Sequence, residues 1–302
     1  MGSNPIPGTY PESTTGYEEY LHEVKRLAPT TVESKLRIIR RLQRRVNLWD
    51  TESFERYLLN AKMTNGHKES VGYAYQDWCK FNGFDYCPKR FKREEKLPHI
   101  PKESEIDQLI SGCGGRLSCF LQLLKESACR PIEAWRLTPE DFDLKQKLCY
   151  INKPAKGSNP RILKMSDKLT AMVTRIVNET HPDSRLWKAE LVNLRRSYQR
   201  RRKTLSQRLN DPNLNRISLR TFRHWKATIE YSKTKDILYV KRLLGHKRIE
   251  NTLVYTHLID FGEEDSFSVK IASTIEEFTT LLESGFEYVS DYEEKKILRK
   301  RK

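Results

Sequence analysis

The sequence predicts a mainly α protein built from two helical domains, the second of which carries a small β-hairpin. Two observations predict this fold class. Apolar residues recur at helical spacing along most of the chain, as in residues 36–46. A segment rich in proline and in clustered charges, near residues 88–101, interrupts this pattern and is typical of an interdomain linker. We therefore expect a first domain over residues 1–95 and a second over residues 96–302.

The first domain is predicted to contain four short helices, whose spans follow from the apolar periodicity. They are Tyr17–Leu27, Val32–Trp49, Thr51–Asn60 and Lys68–Phe81. The second of these helices is strongly basic.

The second domain is predicted to begin with three helices. The first helix begins with Lys102–Ile110 and is broken by the glycines within residues 112–115. The second helix is apolar and spans Cys119–Ser127. Pro131 suits the first position of the third helix, where its missing N–H costs nothing.

A hairpin and five more helices are predicted to follow. The hairpin strands, Lys147–Asn152 and Arg161–Met165, flank the turn sequence PAKGSNP. The five helices are Asp167–Asn178, Lys188–Leu209, Leu219–Tyr231, Lys235–Leu244 and Glu250–His257.

The tail, residues 263–302, is predicted to contain one helix and a closing hairpin. The helix spans Ser273–Ser284, and the hairpin strands are Phe286–Ser290 and Lys296–Arg301.

The net charge is unevenly distributed along the chain. The protein has 56 basic and 40 acidic residues, a net charge of +16. Residues 1–95 hold 16 basic and 13 acidic residues (+3), residues 96–262 hold 33 and 17 (+16), and residues 263–302 hold 7 and 10 (−3). An excess concentrated in the middle of a chain with a pI near 9.5 favours nucleic acid binding over a merely solvated basic surface.

Several other kinds of site are not indicated. The six cysteines form no CxxC pair, so we interpret them as reduced thiols of a cytosolic protein rather than as disulfides or a zinc site. No apolar run of about 18 residues occurs, so we expect no membrane span. The sequence has no P-loop, HExxH or carboxylate cluster, and we therefore expect neither a cofactor nor a metal ion.

Four motifs follow one another in the second domain. They are ACRPIEAWRLTPEDFDL with Arg130 and Glu133, KLCYINKPAKGSNPRILKM with Lys156, SLRTFRHWKAT with Arg223, and KRLLGHKRIENTLVYTHL with His246 and Tyr255. In this order they resemble the catalytic boxes of the tyrosine recombinases. The last box, LLGH followed nine residues later by tyrosine, is the most specific. The resemblance extends over residues 17–262.

The resemblance implies that Tyr255 attacks the scissile phosphate and forms a 3′-phosphotyrosine. Exchange of a phosphodiester by a side-chain hydroxyl needs cations on the non-bridging oxygens as negative charge develops. Arg130 and Arg223 are expected to supply them, since planar guanidinium groups match phosphate oxygens well. The ester to tyrosine stores the bond energy, so the chemistry needs no metal and no nucleotide.

The remaining box residues are expected to assist this exchange. Lys156, on its hairpin, would donate a proton to the leaving 5′ oxygen. His246 would hydrogen-bond a phosphate oxygen or the incoming hydroxyl. Glu133 would orient an arginine without touching DNA.

One position departs from the family pattern. Three residues before Arg223, where the family commonly has histidine, this chain has Arg220. A guanidinium group stays protonated, so Arg220 can hold phosphate but cannot take the proton of Tyr255; a structural ion pair is its alternative role. His246, the neighbouring His224 or water remain candidates for that proton, although His224 is otherwise interpreted as a packed helix residue. Fusellovirus-type archaeal integrases are similar in lacking this histidine and in the ending GFEYVSDYEEKKILRKRK.

Two basic helices are candidates for contacts to the DNA backbone. Their cations are Arg40, Arg41, Arg44 and Arg45 in the first domain, and Arg195, Arg196, Arg200, Arg202 and Lys203 in the second. Such a run is equally consistent with a solvated charged face. Each true phosphate contact would steepen the loss of affinity with salt.

The resemblance implies a site-specific recombinase or integrase that integrates or excises a mobile element. Its two domains would close around duplex DNA as a C-shaped clamp. Recombination of two duplexes implies a homotetramer on DNA that exchanges a C-terminal element, with a monomer as an option for the free protein. The protein would be cytoplasmic and DNA-associated. The alternatives are a type IB topoisomerase, which shares the chemistry without needing a second duplex, and a non-catalytic DNA-binding protein of the same fold.

Overall fold

The protein is mainly helical, which confirms the predicted fold class, and two small antiparallel sheets complete it. The computed structural model describes residues 14–92, 97–258, 267–292 and 295–301. Residues 93–96 of the predicted linker and 263–266 of the predicted tail lie outside these ranges. The chain divides into two compact units, residues 1–96 and 97–302, and each has a hydrophobic core. The roles assigned above to the two domains stay predictions.

Four α-helices make up the described part of the first unit. They are α1 (Thr14–Glu19), α2 (Pro29–Gln43), α3 (Thr51–Asn60) and α4 (Asn65–Phe81). A π-helical turn extends α1 to Val24. The basic helix α2 ends six residues before the predicted Trp49, because the Asn47 side chain accepts the backbone N–H of Trp49 and Asp50 caps α3.

The described part of the second unit carries eight α-helices before the tail. They are α5 (Glu103–Gly112), α6 (Gly115–Ser127), α7 (Pro131–Trp135), α8 (Asp167–Val177), α9 (Leu191–Arg208), α10 (Leu219–Thr234), α11 (Ile237–Leu244) and α12 (Glu250–Leu253). Pro131 is the first residue of α7, as predicted. The last predicted helix is split, since a 3₁₀ turn (Thr256–Leu258) follows α12. In the part of the chain that the structure describes, no helix has the length and apolar character needed to cross a bilayer.

The apolar helix α6 lies at the centre of this unit. Its side chains from Cys119 to Leu124 are all buried, and it packs against α5, α8 and α10. Burial on every side explains why its sequence lacks a polar face. The helix therefore fixes the position of α10 and of residues 128–130, which connect α6 to α7.

The predicted hairpin is present but has a third strand. The strands are β1 (Phe142–Asp143), β2 (Leu148–Ile151) and β3 (Arg161–Lys164), in the order β1-β2-β3. Ile151 pairs with Arg161 across the turn. The two-residue strand β1 is too short to leave a periodic signal in the sequence.

The described part of the tail is a three-stranded sheet with one helix. Its elements are β4 (Phe267–Ala272), α13 (Ile275–Glu283), β5 (Glu287–Tyr292) and β6 (Lys295–Arg301), with strand order β4-β6-β5. The predicted helix and hairpin are observed. The sequence analysis missed β4, which pairs along β6.

Candidate active site

The first turns of α10 present three of the site residues on one face. Ser218 caps the helix by accepting the backbone N–H of Thr221, which fixes where the helix begins. Arg220, Arg223 and His224 then follow at spacings of three and four residues and share a face. Arg220 is exposed, whereas Arg223 is only 5% exposed.

Arg223 is held by the backbone of two neighbouring segments. Its Nη1 donates to the carbonyl of Ala128 at 2.7 Å, and its Nη2 donates to the carbonyl of Leu244 at 2.8 Å. Burial, together with the nearby cations Arg130 and Arg161, lowers the pKa of Arg223 to about 10. The guanidinium group therefore remains charged at neutral pH and needs an anion nearby.

Glu133 is the buried carboxylate around which the site is organised. Its Oε1 accepts from Nη1 of Arg130 at 2.9 Å, and its Oε2 accepts from Nη2 of Arg161 at 2.6 Å. The backbone N–H groups of Arg130 and Ala155 complete its partners. Burial would raise the pKa of Glu133, but Arg161 and these hydrogen bonds hold it at about 2. The carboxylate orients Arg130, in keeping with the role predicted for it.

The hairpin turn is fastened on both sides of Lys156. Arg130 donates from Nη1 to Oγ of Ser158 at 2.6 Å, and the backbone N–H of Asn159 donates to the carbonyl of Gly245 at 2.9 Å. Lys156 itself is exposed and has a left-handed backbone, with φ +56°. Within the described chain its amino group contacts none of the other predicted site residues. The structure fastens the turn that carries Lys156, and the role of Lys156 as proton donor stays a prediction.

His246 follows α11 and is bonded at both ring nitrogens. Its Nε2 lies 2.9 Å from Nη2 of Arg223, and its Nδ1 lies 3.0 Å from Oγ1 of Thr252. A guanidinium group can only donate, so Nε2 accepts and the imidazole proton lies on Nδ1. Burial and the charges of Arg223 and Arg130 lower the pKa of His246 to about 4.

Tyr255 is packed beside α10 and is 2% exposed. Its ring lies in a small apolar cluster with Ala227, Val240 and Leu244. Its hydroxyl lies 3.1 Å from Nδ1 of His224. Burial raises the pKa of the Tyr255 hydroxyl, while the charges of Arg223, Arg220 and Arg130 oppose that rise. The predicted nucleophile and the predicted arginines therefore belong to one site.

The structure separates the cations predicted to contact DNA into two groups. Eight of them are exposed: Arg40, Arg41, Arg44, Arg45, Arg195, Arg196, Arg200 and Lys203. The exception is Arg202, whose Nη1 donates to the carbonyl of Ile217 at 2.6 Å beside the ring of Tyr198. Its partly buried side chain ties α9 to the start of α10, which corrects the expectation that it faces DNA.

Sequence reasoning missed Arg161 and gave His224 too little weight. Arg161 is 5% exposed at its side chain and binds Glu133. The sequence of β3 did indicate that Arg161 is buried, because strand alternation places it on the same face as the buried Leu163. A buried cation needs a carboxylate partner. The contact of His224 with Tyr255 has no comparable signal. Among the described residues, no cluster of three or more histidine, cysteine or acidic side chains could hold a metal ion.

A protein family model matches the part of the chain that contains this site. Residues 101–260 match the model of the phage integrase family, which is more than half of the chain. This range contains the residues from Arg130 to Tyr255 that form the site.

Curated relatives match over part of their length. The tyrosine recombinase XerA of Saccharolobus solfataricus is 23% identical over 175 residues, covering 54% of this chain and 56% of the relative. The tyrosine recombinase XerD of Oceanobacillus iheyensis is 28% identical over 192 residues, covering 58% and 63%. The chain thus matches between half and two thirds of the length of these relatives.

Solved structures share the fold. The Tn1549 transposon integrase in complex with transposon right end DNA is similar with a TM-score of 0.62 and 11% identity, covering 89% of this chain and 98% of that one. The XerH site-specific recombinase bound to difH substrate gives a TM-score of 0.53 and 17% identity, covering 70% and 68%. At these identities the similarity concerns the fold alone.

Proposed function

This chain belongs to the phage integrase family, and we propose that it is a site-specific DNA recombinase that cuts and rejoins duplex DNA through a covalent bond to Tyr255. One observation carries the proposal. The Tyr255 hydroxyl, near the charges of Arg130, Arg220 and Arg223, lies against the α10 face that bears two of these arginines. Cations placed around a hydroxyl nucleophile suit the negative charge that develops on a phosphate under attack.

The arginines act on the phosphate in this proposal. Arg130 and Arg220 reach solvent and can contact a phosphate. The buried Arg223 adds positive charge near that phosphate without being exposed itself. Glu133 keeps Arg130 in place, and Arg161 neutralises the second oxygen of Glu133. Each charge-assisted bond formed only in the transition state typically contributes about 10²–10³ in rate.

Lys156 and His246 complete the proposed reaction. Lys156 donates a proton to the 5′ oxygen as the P–O bond breaks, which requires its exposed side chain to approach the bound DNA. His246 releases Arg223 and donates from Nε2 to a phosphate oxygen, with its proton now on Nε2 and the Thr252 hydroxyl donating to Nδ1. The product of this step is a 3′-phosphotyrosine and a free 5′ hydroxyl, which rejoins in the reverse reaction.

Duplex DNA is the proposed partner. Two of the similar solved structures are complexes with DNA, and the exposed arginines of α2 and α9 offer cations suited to phosphate backbones. We further propose that the protein acts in the cytoplasm as a homotetramer that integrates or excises a mobile element. The similarity to fusellovirus-type archaeal integrases rests on Arg220 and on the ending of the sequence and stays a proposal.

Strand exchange between two duplexes tests this function against its two rivals. The protein is incubated with a labelled duplex bearing a candidate attachment site and an unlabelled partner of different length. A recombinase gives labelled products of new length, and Tyr255→Phe gives none. Relaxation of supercoiled plasmid without any exchanged product would favour a type IB topoisomerase. Tight binding with neither reaction would favour a non-catalytic DNA-binding protein.

A further inference from the structure

We propose that His224 is the general base of the reaction and that its Nδ1 accepts the Tyr255 proton as Oη attacks phosphorus. The inference rests on the proposed recombinase function, since it names a role in that same chemistry. A tyrosine whose usual pKa is about 10 is mostly protonated at neutral pH, so its attack requires a proton acceptor.

The geometry between the two side chains suits a proton transfer. His224 Nδ1 lies 3.1 Å from the Tyr255 hydroxyl oxygen, within the range expected of a base and the proton that it abstracts. The ring centroids are 5.9 Å apart with a 45° angle between the planes, so the histidine meets the hydroxyl edge-on rather than stacking on the ring. When the phenol donates, the imidazole proton lies on Nε2 and the Nδ1 lone pair points at Oη.

The other groups near the hydroxyl cannot take this proton. Arg220 and Arg223 are guanidinium groups without a lone pair to offer. His246 uses Nε2 to accept from Arg223 and Nδ1 to donate to Thr252, so neither nitrogen is open. Among the side chains described around Tyr255, His224 is therefore the group with an available acceptor.

His224 is neutral at pH 7, as a base must be before it accepts a proton, but it is a weak base in the free protein. Burial, followed by the charges of Arg220 and Arg223, lowers the pKa of His224 to about 4, so the ring is neutral and its lone pair is available at pH 7. A phosphate bound between those arginines would offset their charges and make the ring a better proton acceptor. The base thus becomes strongest when the substrate is in place.

The proposed step balances. The bond from Tyr255 Oη to phosphorus forms, the bond from phosphorus to the 5′ oxygen breaks, and the phenolic proton moves to His224 Nδ1. A separate acid protonates the 5′ oxygen. On rejoining, the 5′ hydroxyl returns its proton to the group that had protonated it and attacks phosphorus, the bond from phosphorus to Tyr255 Oη breaks, and His224 gives its proton to Oη.

Two substitutions separate proton transfer from simple positioning of Tyr255. His224→Asn keeps a hydrogen-bonding amide near the Nδ1 position but cannot accept a proton, whereas His224→Phe keeps only the ring shape. We expect both to slow single-turnover cleavage of a suicide duplex by about 10²-fold or more, with DNA affinity and melting temperature retained. The matched control is His181→Asn, at an exposed histidine, which should cleave at the wild-type rate.

A more acidic nucleophile supplies the decisive readout. Replacing Tyr255 with trifluorotyrosine lowers the phenol pKa, so less of the rate depends on a base. Most of the rate lost in His224→Asn should then return. Wild-type cleavage by His224→Asn, or a defect that trifluorotyrosine leaves unchanged, would overturn the role of His224 while leaving the recombinase proposal intact. A wild-type protein that forms no covalent adduct would instead overturn the proposed function, and this inference with it.

Discussion

At the residue scale, the arrangement of the site depends on the buried carboxylate Glu133. It is 1% exposed and binds two arginines, Arg130 directly before α7 and Arg161 on β3. Removing one member of a buried ion pair leaves the other charge uncompensated, which typically costs about 3–5 kcal/mol. Glu133 therefore contributes to stability as well as to the position of Arg130.

Glu133→Gln is expected to lower the free energy of unfolding by about 3–5 kcal/mol at pH 7, because Arg161 keeps its charge without a carboxylate. The pKa of Glu133 is about 2 in the folded protein against 4.5 for the ordinary group. The stability that the carboxylate provides is thus fully present above pH 4.5 and is lost as the pH falls toward 2. The difference in the free energy of unfolding between Glu133→Gln and wild type should therefore become smaller as the pH falls from 4.5 to 2.

Urea unfolding of both proteins at pH 7 and at pH 3 measures this difference. Glu140→Gln, at an exposed carboxylate, is the control and should unfold like the wild type at both pH values. A Glu133→Gln variant as stable as the wild type at pH 7 would mean that Arg161 does not need its partner.

Arg220 presents a second residue-scale question, since its sequence position allows either a phosphate contact or a structural ion pair. The structure gives it an exposed side chain, and no carboxylate of the described chain bonds to it. Arg220→Ala should therefore reduce single-turnover cleavage by about 10²–10³ without changing the melting temperature. Arg220→Lys should recover part of the rate, because the charge remains while the two-pronged geometry is lost.

Lys233→Ala removes a cation from the far end of the same helix and serves as the control, with cleavage expected at the wild-type rate. Unchanged cleavage by Arg220→Ala together with a lowered melting temperature would remove Arg220 from the active site.

At the scale of elements, α9 contains neighbouring arginines with different surroundings. Arg200 is exposed, whereas Arg202 donates to the carbonyl of Ile217. Arg200→Ala should weaken DNA binding and reduce the slope of log affinity against log salt by about one, as expected for one lost phosphate contact. Arg202→Ala should lower the melting temperature and leave the slope unchanged. Gel shifts at several salt concentrations compare the two variants, and equal slopes for Arg200→Ala and wild type would show that Arg200 does not contact the DNA backbone.

The turn that joins α11 to His246 is fitted closely to the hairpin. Gly245 has φ +67°, and a Cβ built on it would lie 2.8 Å from the carbonyl oxygen of Asn159 and 3.1 Å from Nη1 of Arg161. Gly245→Ala should therefore push the hairpin away and reduce cleavage more than DNA affinity, because Lys156 moves with the turn. Gly115→Ala is the matched control, since Gly115 has φ +57° with no neighbour within 4 Å of its Cβ position.

Melting curves and single-turnover cleavage of the two glycine variants measure this effect. Both variants carry the cost of a left-handed alanine, about 1 kcal/mol. Equal cleavage rates for both would indicate that the contact between turn and hairpin is dispensable.

The sequence predicted the helices well because apolar periodicity reports directly on which face is buried. It predicted the two strands around Lys156 from the turn residues between them, but neither β1 nor β4, which are defined by pairing with distant strands. The box residues were found through spacing along the chain. The contacts of Arg161 with Glu133 and of His224 with Tyr255 join residues 28 and 31 positions apart and depend on how elements dock. Strand alternation indicates that Arg161 is buried, but no local pattern identifies its partner or that of His224.

At the scale of the whole molecule, the basic excess coincides with the unit that contains the site. Residues 96–262 carry a net charge of +16, the same as the entire chain. Within this segment the buried arginines serve the site, while the exposed ones on α9 face solvent. A field of this sign would attract a polyanion toward Tyr255, the proposed nucleophile, which is itself nearly buried.

Trapping a covalent bond between Tyr255 and DNA is the decisive experiment on the proposed reaction. The wild-type protein is incubated with a suicide duplex carrying a nick beside the candidate cleavage site, digested, and mapped by mass spectrometry of the nucleotide-linked peptide. The account predicts a nucleotide on Tyr255 through a 3′ phosphate, and no adduct for Tyr255→Phe at equal DNA occupancy. An adduct on another residue, or one that Tyr255→Phe forms at the wild-type rate, would contradict it.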